Sequence, residues 1–136
     1  MEKRYKVYKT KIEHILYVVI SLLIIGSAIW MILSKEYYLL LSVFAASGIV
    51  LFSPREYRLT KNEMLDVLCL FGKAFKPISV TQIIRVTQKS KNEAILVYNR
   101  DGLRGDRILC LSETDMKVFL DELKKRNPAI EIHLLT

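Results

Sequence analysis

The side chains best suited to chemistry fall in one stretch, Asn99-Arg-Asp-Gly-Leu-Arg-Gly-Asp-Arg107, which gathers Asp101, Arg104, Asp106 and Arg107. Carboxylates beside guanidiniums could move a proton or hold an anion, provided that they converge. In a glycine-bearing loop between two strands, such neighbours form a solvated hairpin with local ion pairs, which couple weakly. Arg104-Gly105-Asp106 spells an adhesion tripeptide, a chance match on a loop expected to face the cytoplasm. Cys69 and Cys110 form no C-x-x-C pair, and each lies in an apolar run, DVLCLF and RILCLS. They are expected to be small buried residues in a reducing compartment. His14 and His133 stand far apart and assemble no metal set. No nucleophile-elbow, zincin, Walker or dinucleotide glycine pattern occurs. The expectation is a non-enzymatic protein, with no catalytic, cofactor-binding or metal-binding residues.

What the chain does carry is positive charge, unevenly placed. Lys and Arg number 21 against 14 Asp and Glu, a net charge of +7. Lys3, Arg4, Lys6, Lys9 and Lys11 crowd the first fourteen residues, and Arg55, Arg58 and Lys61 follow the second of two apolar runs. Basic residues beside a membrane segment are drawn to anionic lipid, by about 1 kcal/mol each near the surface. These eight are the candidate anionic-lipid contacts, and their placement favours a membrane partner over nucleic acid. They do not form the dense cluster a polyanionic headgroup would need.

The elements that position these cations are apolar. Ile15 to Leu33 runs for nineteen positions without a charge. As helix it spans roughly 28 Å, close to the ~30 Å hydrocarbon core. A cleaved secretory signal is disfavoured, because apolar residues continue past Gly26-Ser27-Ala28 with no polar region before the cut. Tyr37 to Phe52 forms a second run after the short link Ser34-Lys35-Glu36, and Pro54 stops it. Tyr37 and Tyr38 suit one interface and Arg55 the other. Ala45-Ala46-Ser47-Gly48 and Gly26-Ser27-Ala28 are small patches that let helices approach, within the pair or between copies in a homo-oligomer. Basic residues flank both outer ends of the pair. The positive-inside rule therefore puts both termini in the cytoplasm and the link outside. Residues 1–54 form a basic segment and transmembrane hairpin, with spans near 15–33 and 37–52, and residues 55–136 form a cytoplasmic domain.

From Glu56 onward, short β-like runs alternate with turn signals. Strands are expected in EYRLT, MLDVLCLF, the segment from Phe75 to Val80, and the β-branched run Ile83, Ile84, Val86, Thr87. The strongest are Ala94–Tyr98 and Arg107–Leu111, joined by the charged loop NRDGLRGD. The period then changes. Ser112 and Asp115 make a helix-start signal, and Met116, Phe119, Leu120 and Leu123 follow as one apolar stripe. Lys124-Lys125-Arg126 suits the helix end and Pro128 terminates it. Six or seven strands forming a barrel or sandwich capped by one C-terminal helix point to a pleckstrin-homology (PH)-like domain. The fold class is thus an α+β membrane protein.

YRLTKNEMLDV, PISVTQIIRV and ILCLSETDMKVFLDELKKRNPAI together resemble the bacterial PH-like domain of the sublancin-immunity (SunI/YyaB-like) type. The resemblance covers most of residues 56–132, and FLDELKKRNPAI is its most specific part. Asn92-Glu93 stands where relatives tend to carry an Asp-Arg or Asp-Lys pair, and NRDGLRGD looks longer than their loop. Members pair one or two N-terminal membrane helices with such a domain. The resemblance implies a bacterial cytoplasmic-membrane protein that binds or scaffolds a membrane or cytoplasmic protein, including a role in immunity to a secreted antimicrobial peptide. An anionic-lipid-sensing or envelope-stress module is the alternative.

Overall fold

A computed structural model describes residues 2–35, 37–38 and 40–135. The link residue Glu36, and Leu39 within the second apolar run, lie outside the described residues. The fold is α+β, with three helices and two sheets. Helix α1 spans Lys11–Ser34, α2 Leu40–Leu51 and α3 Glu113–Arg126. The first sheet joins β1 (Lys3–Lys6), β2 (Glu56–Leu59), β3 (Met64–Cys69) and β4 (Gly72–Lys73) in that order, and β5 (Ile78–Ser79) pairs with β3. A 3-10 turn at Val80–Gln82 leads to the second sheet. That sheet holds β6 (Ile83–Ser90), β7 (Glu93–Arg100), β8 (Leu103–Cys110) and β9 (Glu131–His133), in the order β8-β7-β6-β9, with β9 parallel to β6.

The expected barrel does not close. The sheets remain separate ladders, each with its own edges. They are stitched at one corner, where Tyr8 N–H donates to the Cys110 carbonyl (2.9 Å) and Cys110 N–H donates to the Tyr57 hydroxyl (3.1 Å). Both sheets and α3 share one buried cluster. Leu59, Leu65 and Ile78 meet Leu96 and Leu109, and all four stripe residues Met116, Phe119, Leu120 and Leu123 are buried among them. The α3 start signal works as expected, with Ser112 Oγ accepting from Asp115 N–H at 3.1 Å. Burial of the stripe, rather than helix propensity, is what holds a helix of this length.

The charged stretch from Asn99 to Asp106 is not a long loop. It is the turn end of a hairpin whose strands pair from Glu93↔Cys110 to Arg100↔Leu103. Asp101 and Gly102 sit at φ 52° and 80°, the left-handed pair that a two-residue type I′ turn requires. Gly105 lies opposite Tyr98, and a Cβ there would come within 2.5 Å of the ring.

Two findings bear on the apolar segments. α1 begins at Lys11, a turn before the charge-free run, because Thr10 and Glu13 form a capping box. Thr10 N–H donates to Glu13 Oε2 (2.7 Å), and Glu13 N–H donates to Thr10 Oγ1 (3.3 Å). This 24-residue helix is long and apolar enough to cross a membrane, and only 6% of its most apolar window is buried. By contrast α2 is 12 residues, shorter than the sixteen-residue run in which it lies. The small patches divide: Ser27 and Ala46 line the groove between the helices, whereas Gly26 and Gly48 face open space.

The N-terminal strand is the second finding. Lys3–Lys6 pairs with β2 from Lys3↔Leu59 to Lys6↔Glu56, and Val7 N–H extends the ladder to the Arg55 carbonyl (2.9 Å). Both helices are thus inserted between two neighbouring strands of one sheet.

Candidate functional site

Strand alternation sorts the N-terminal cations before any site is considered. Tyr5 points into the core, 5% exposed, and meets Phe119 edge-to-face at a centroid distance of 5.1 Å. Lys3 lies on the same side, beyond the core, where α3 supplies a carboxylate. Lys3 Nζ donates to Glu122 Oε2 at 2.8 Å, and Arg126 Nε donates to Glu122 Oε1 at 3.0 Å. These two bonds, from Lys3 first and then Arg126, pull the Glu122 carboxyl down to about 2. Arg4 and Lys6 point the other way, onto the outer face of the first sheet. Arg4 lies 3.0 Å from Glu2 and 3.8 Å from Glu56. On that face Asp66, 1% exposed, is covered by Arg58 (3.3 Å) and Lys73 (3.1 Å).

Lys6 has a different setting. It opens into a cleft of about 650 Å³ at the foot of α1 and α2, together with Lys9, His14, Arg55 and Glu56. Farther along the helices the same cleft is walled by Val18, Leu22 and Val50, with Tyr17 and Ser21 interleaved among them. Lys9 is fixed, with its Nζ 3.0 Å from Ser53 Oγ and 3.9 Å from the Tyr17 ring centroid. Ser53, 7% exposed, also accepts from the Tyr17 hydroxyl at 3.0 Å. Lys6 and Arg55 have no ion-pair partner among the described residues. Backbone pairing brings these cations together: Lys6↔Glu56 in the ladder, with Arg55 N–H donating to the Leu68 carbonyl (2.8 Å).

Of the eight candidate lipid contacts, the fold therefore unites Lys6, Lys9 and Arg55. Lys11 opens α1 and is exposed, and Arg58 is committed to Asp66. Lys61 lies at the opposite end of the sheet, beside Lys3, Glu63, Lys125 and Glu122. His14 and Tyr17 belong to the cleft, and Ser53 holds Lys9 and Tyr17 from behind it, but the three carried no signal as a set. The T-x-x-E capping box at Thr10 was the available clue that α1 starts early enough to bring His14 there.

The charged stretch does not make a second site. Along β8 Arg107 lies on the opposite face from Arg104 and Asp106, and Asp101 stands in the turn, so the four groups do not share one face. Arg107 stacks over Phe75 (4.6 Å) and Tyr98 (5.9 Å), and Arg100 donates to the Pro77 carbonyl. Both cysteines are free and half-buried rather than fully buried, and burial pushes the Cys110 thiol up. Comparison with protein families, curated proteins and solved structures finds no match to this chain.

Proposed function

We propose that the chain is a non-enzymatic integral membrane protein of a bacterial cytoplasmic membrane. Its two apolar helices cross as a hairpin and present a PH-like binding and scaffolding module on the inner surface. One observation carries this reading: the helices are inserted between β1 and β2, which pair directly. Paired strands lie on one side of a bilayer. If α1 crosses, the chain must return before Glu56, and the only apolar stretch available is Tyr37 to Phe52. Pairing also argues against a cleaved signal, since cleavage after α1 would remove a strand whose Tyr5 is in the core. The shortness of α2 is compatible with local thinning of the bilayer or with flanking aromatic residues completing the span.

The hairpin tip between β3 and β4 supports the same orientation. Leu70 and Phe71 are 50% and 69% exposed, and the β3 register puts them just beyond Arg55, at the end of the sheet from which α2 leads in. An apolar tip suits an interfacial position better than water. The family resemblance extends this to immunity against a secreted antimicrobial peptide, through a membrane partner. The cleft favours the second reading, a module responsive to anionic lipid.

Topology is tested by cysteine labelling in a Cys69→Ser/Cys110→Ser background. Lys35→Cys should react with an impermeant reagent applied outside intact cells, and Lys124→Cys only after lysis. Equal labelling of both before lysis refutes the topology. Crosslinking through the PH-like module should then trap a defined protein; recovery of lipid and self-contacts alone would favour the lipid-responsive reading.

A further inference from the structure

The cleft at the foot of the helices has the polarity of a lipid. Its cations sit where α1 begins, and Val18, Leu22 and Val50 line it farther along the helices, with the side chains of Tyr17 and Ser21 interleaved among them. From Lys11 to Leu22 the helix rises roughly 16 Å, enough to hold a headgroup and the first part of an acyl chain side by side. Glu56 is the one carboxylate on the lining among the described residues; its Oε1 lies 3.8 Å from Arg4 Nε and has no hydrogen bond. Three cations then face the opening, and two of them have no protein partner there. A cation brought to a cleft by backbone pairing, and making no ion pair there, gains from an external phosphate.

From these features we infer that the cleft holds one anionic phospholipid of the inner leaflet, its phosphate against Lys6, Lys9 and Arg55 and a chain along Val18, Leu22 and Val50. This rests on the membrane reading above and deepens it, naming the ligand class of that site. It differs from general attraction of basic residues to a charged surface in two ways. It is saturable at one molecule, and it depends on cations at one end of the sheet rather than on net charge. The apolar wall also sets it apart from a site for free phosphate, which would make no use of Leu22.

The full chain, purified in a mild non-ionic detergent, is titrated with phosphatidylglycerol or phosphatidylcholine, and bound lipids are counted by native mass spectrometry. One phosphatidylglycerol should be retained in preference to phosphatidylcholine. Lys6→Gln with Arg55→Gln should lower that retention by about thirtyfold, the effect of two interfacial cations. Lys61→Gln with Lys125→Gln removes the same charge from the opposite end and should leave retention unchanged. Equal losses in the two double variants would mean general electrostatics and overturn the inference. Leu22→Trp, which fills the apolar limb without changing charge, should also reduce retention; an unchanged value overturns the placement of the chain. Glycerophosphoglycerol, the headgroup without chains, should not displace the lipid at equal concentration, and displacement would reassign the cleft to soluble phosphates. Carbonate extraction of the same variants reports membrane integration alone. A variant that stays integral but loses its lipid separates failure of the site from failure of the membrane reading.

Discussion

The two ends of the first sheet carry similar numbers of basic side chains and use them differently. At one end Lys3 and Arg126 close on Glu122, with Lys61 and Lys125 nearby. At the other Lys6, Lys9 and Arg55 surround a cleft whose single carboxylate is shared with Arg4. Lys3 and Lys6 belong to the same four-residue strand. What separates them is the neighbour the fold supplies: α3 delivers a carboxylate to Lys3, whereas the helices at the other end carry only one acid near their feet, Glu13, whose carboxylate caps α1. Charge fixed by an internal partner serves the fold, and charge left open is available to something outside it.

The largest way to break this contrast is to remove what brings α3 to β1. Phe119 is fully buried against Tyr5, and Phe119→Ala should cost about 3–5 kcal/mol in denaturant unfolding of the full chain in detergent. A cost below about 1 kcal/mol would show that α3 is not the anchor of that end. Next comes acid. The Glu122 carboxyl lies at about 2 in the folded chain, below its ordinary 4.5. A depressed carboxyl stabilises the fold fully above the unfolded value, and that contribution fades as pH falls from 4.5 toward 2. Melting temperature should therefore drop across that window, and Glu122→Gln should flatten this part of the profile while lowering stability at neutral pH. A parallel profile would assign the acid sensitivity elsewhere. The smallest effect belongs to the open end: Lys6→Gln and Arg55→Gln should each change stability by less than about 0.5 kcal/mol, since neither side chain has a protein partner there. A larger loss would place these cations among the groups that hold the fold.

Much of the module was legible from sequence because its signals are local. The α3 stripe repeats every three or four residues, Ser112 caps within one turn, and the strands from Glu56 to Leu111 are bounded by their own turns. The Asn99–Arg107 stretch was read as a hairpin with too long a loop, because its charges hid the continuation of both strands to Asp101-Gly102, itself the strongest short hairpin signal. β1 was harder. Lys-Arg-Tyr-Lys has one apolar residue, and its partner Tyr57 lies far along the chain beyond both helices. No local pattern reports such a pairing. β9 is shorter still, and it follows a proline that marks only the end of α3. Consequently the eight basic residues could be identified as a charge class, but not sorted into those that meet at the cleft and those satisfied elsewhere. Barrel closure likewise depends on strand edges meeting, a property that single strands do not encode.

The placement of both helices between β1 and β2 sets an order of assembly. β1 is made before β2, and it cannot find that neighbour until two apolar segments and β2 itself have been made. If those segments lodge in the bilayer as the proposed hairpin, the ends of β1 and β2 are held close and little closure entropy remains. With either segment misplaced, β2 keeps an open edge and Phe119 loses its contact with Tyr5, exposing surface that proteases and aggregation exploit. Completion of the sheet would thus act as a check on insertion, allowing only correctly threaded chains to mature.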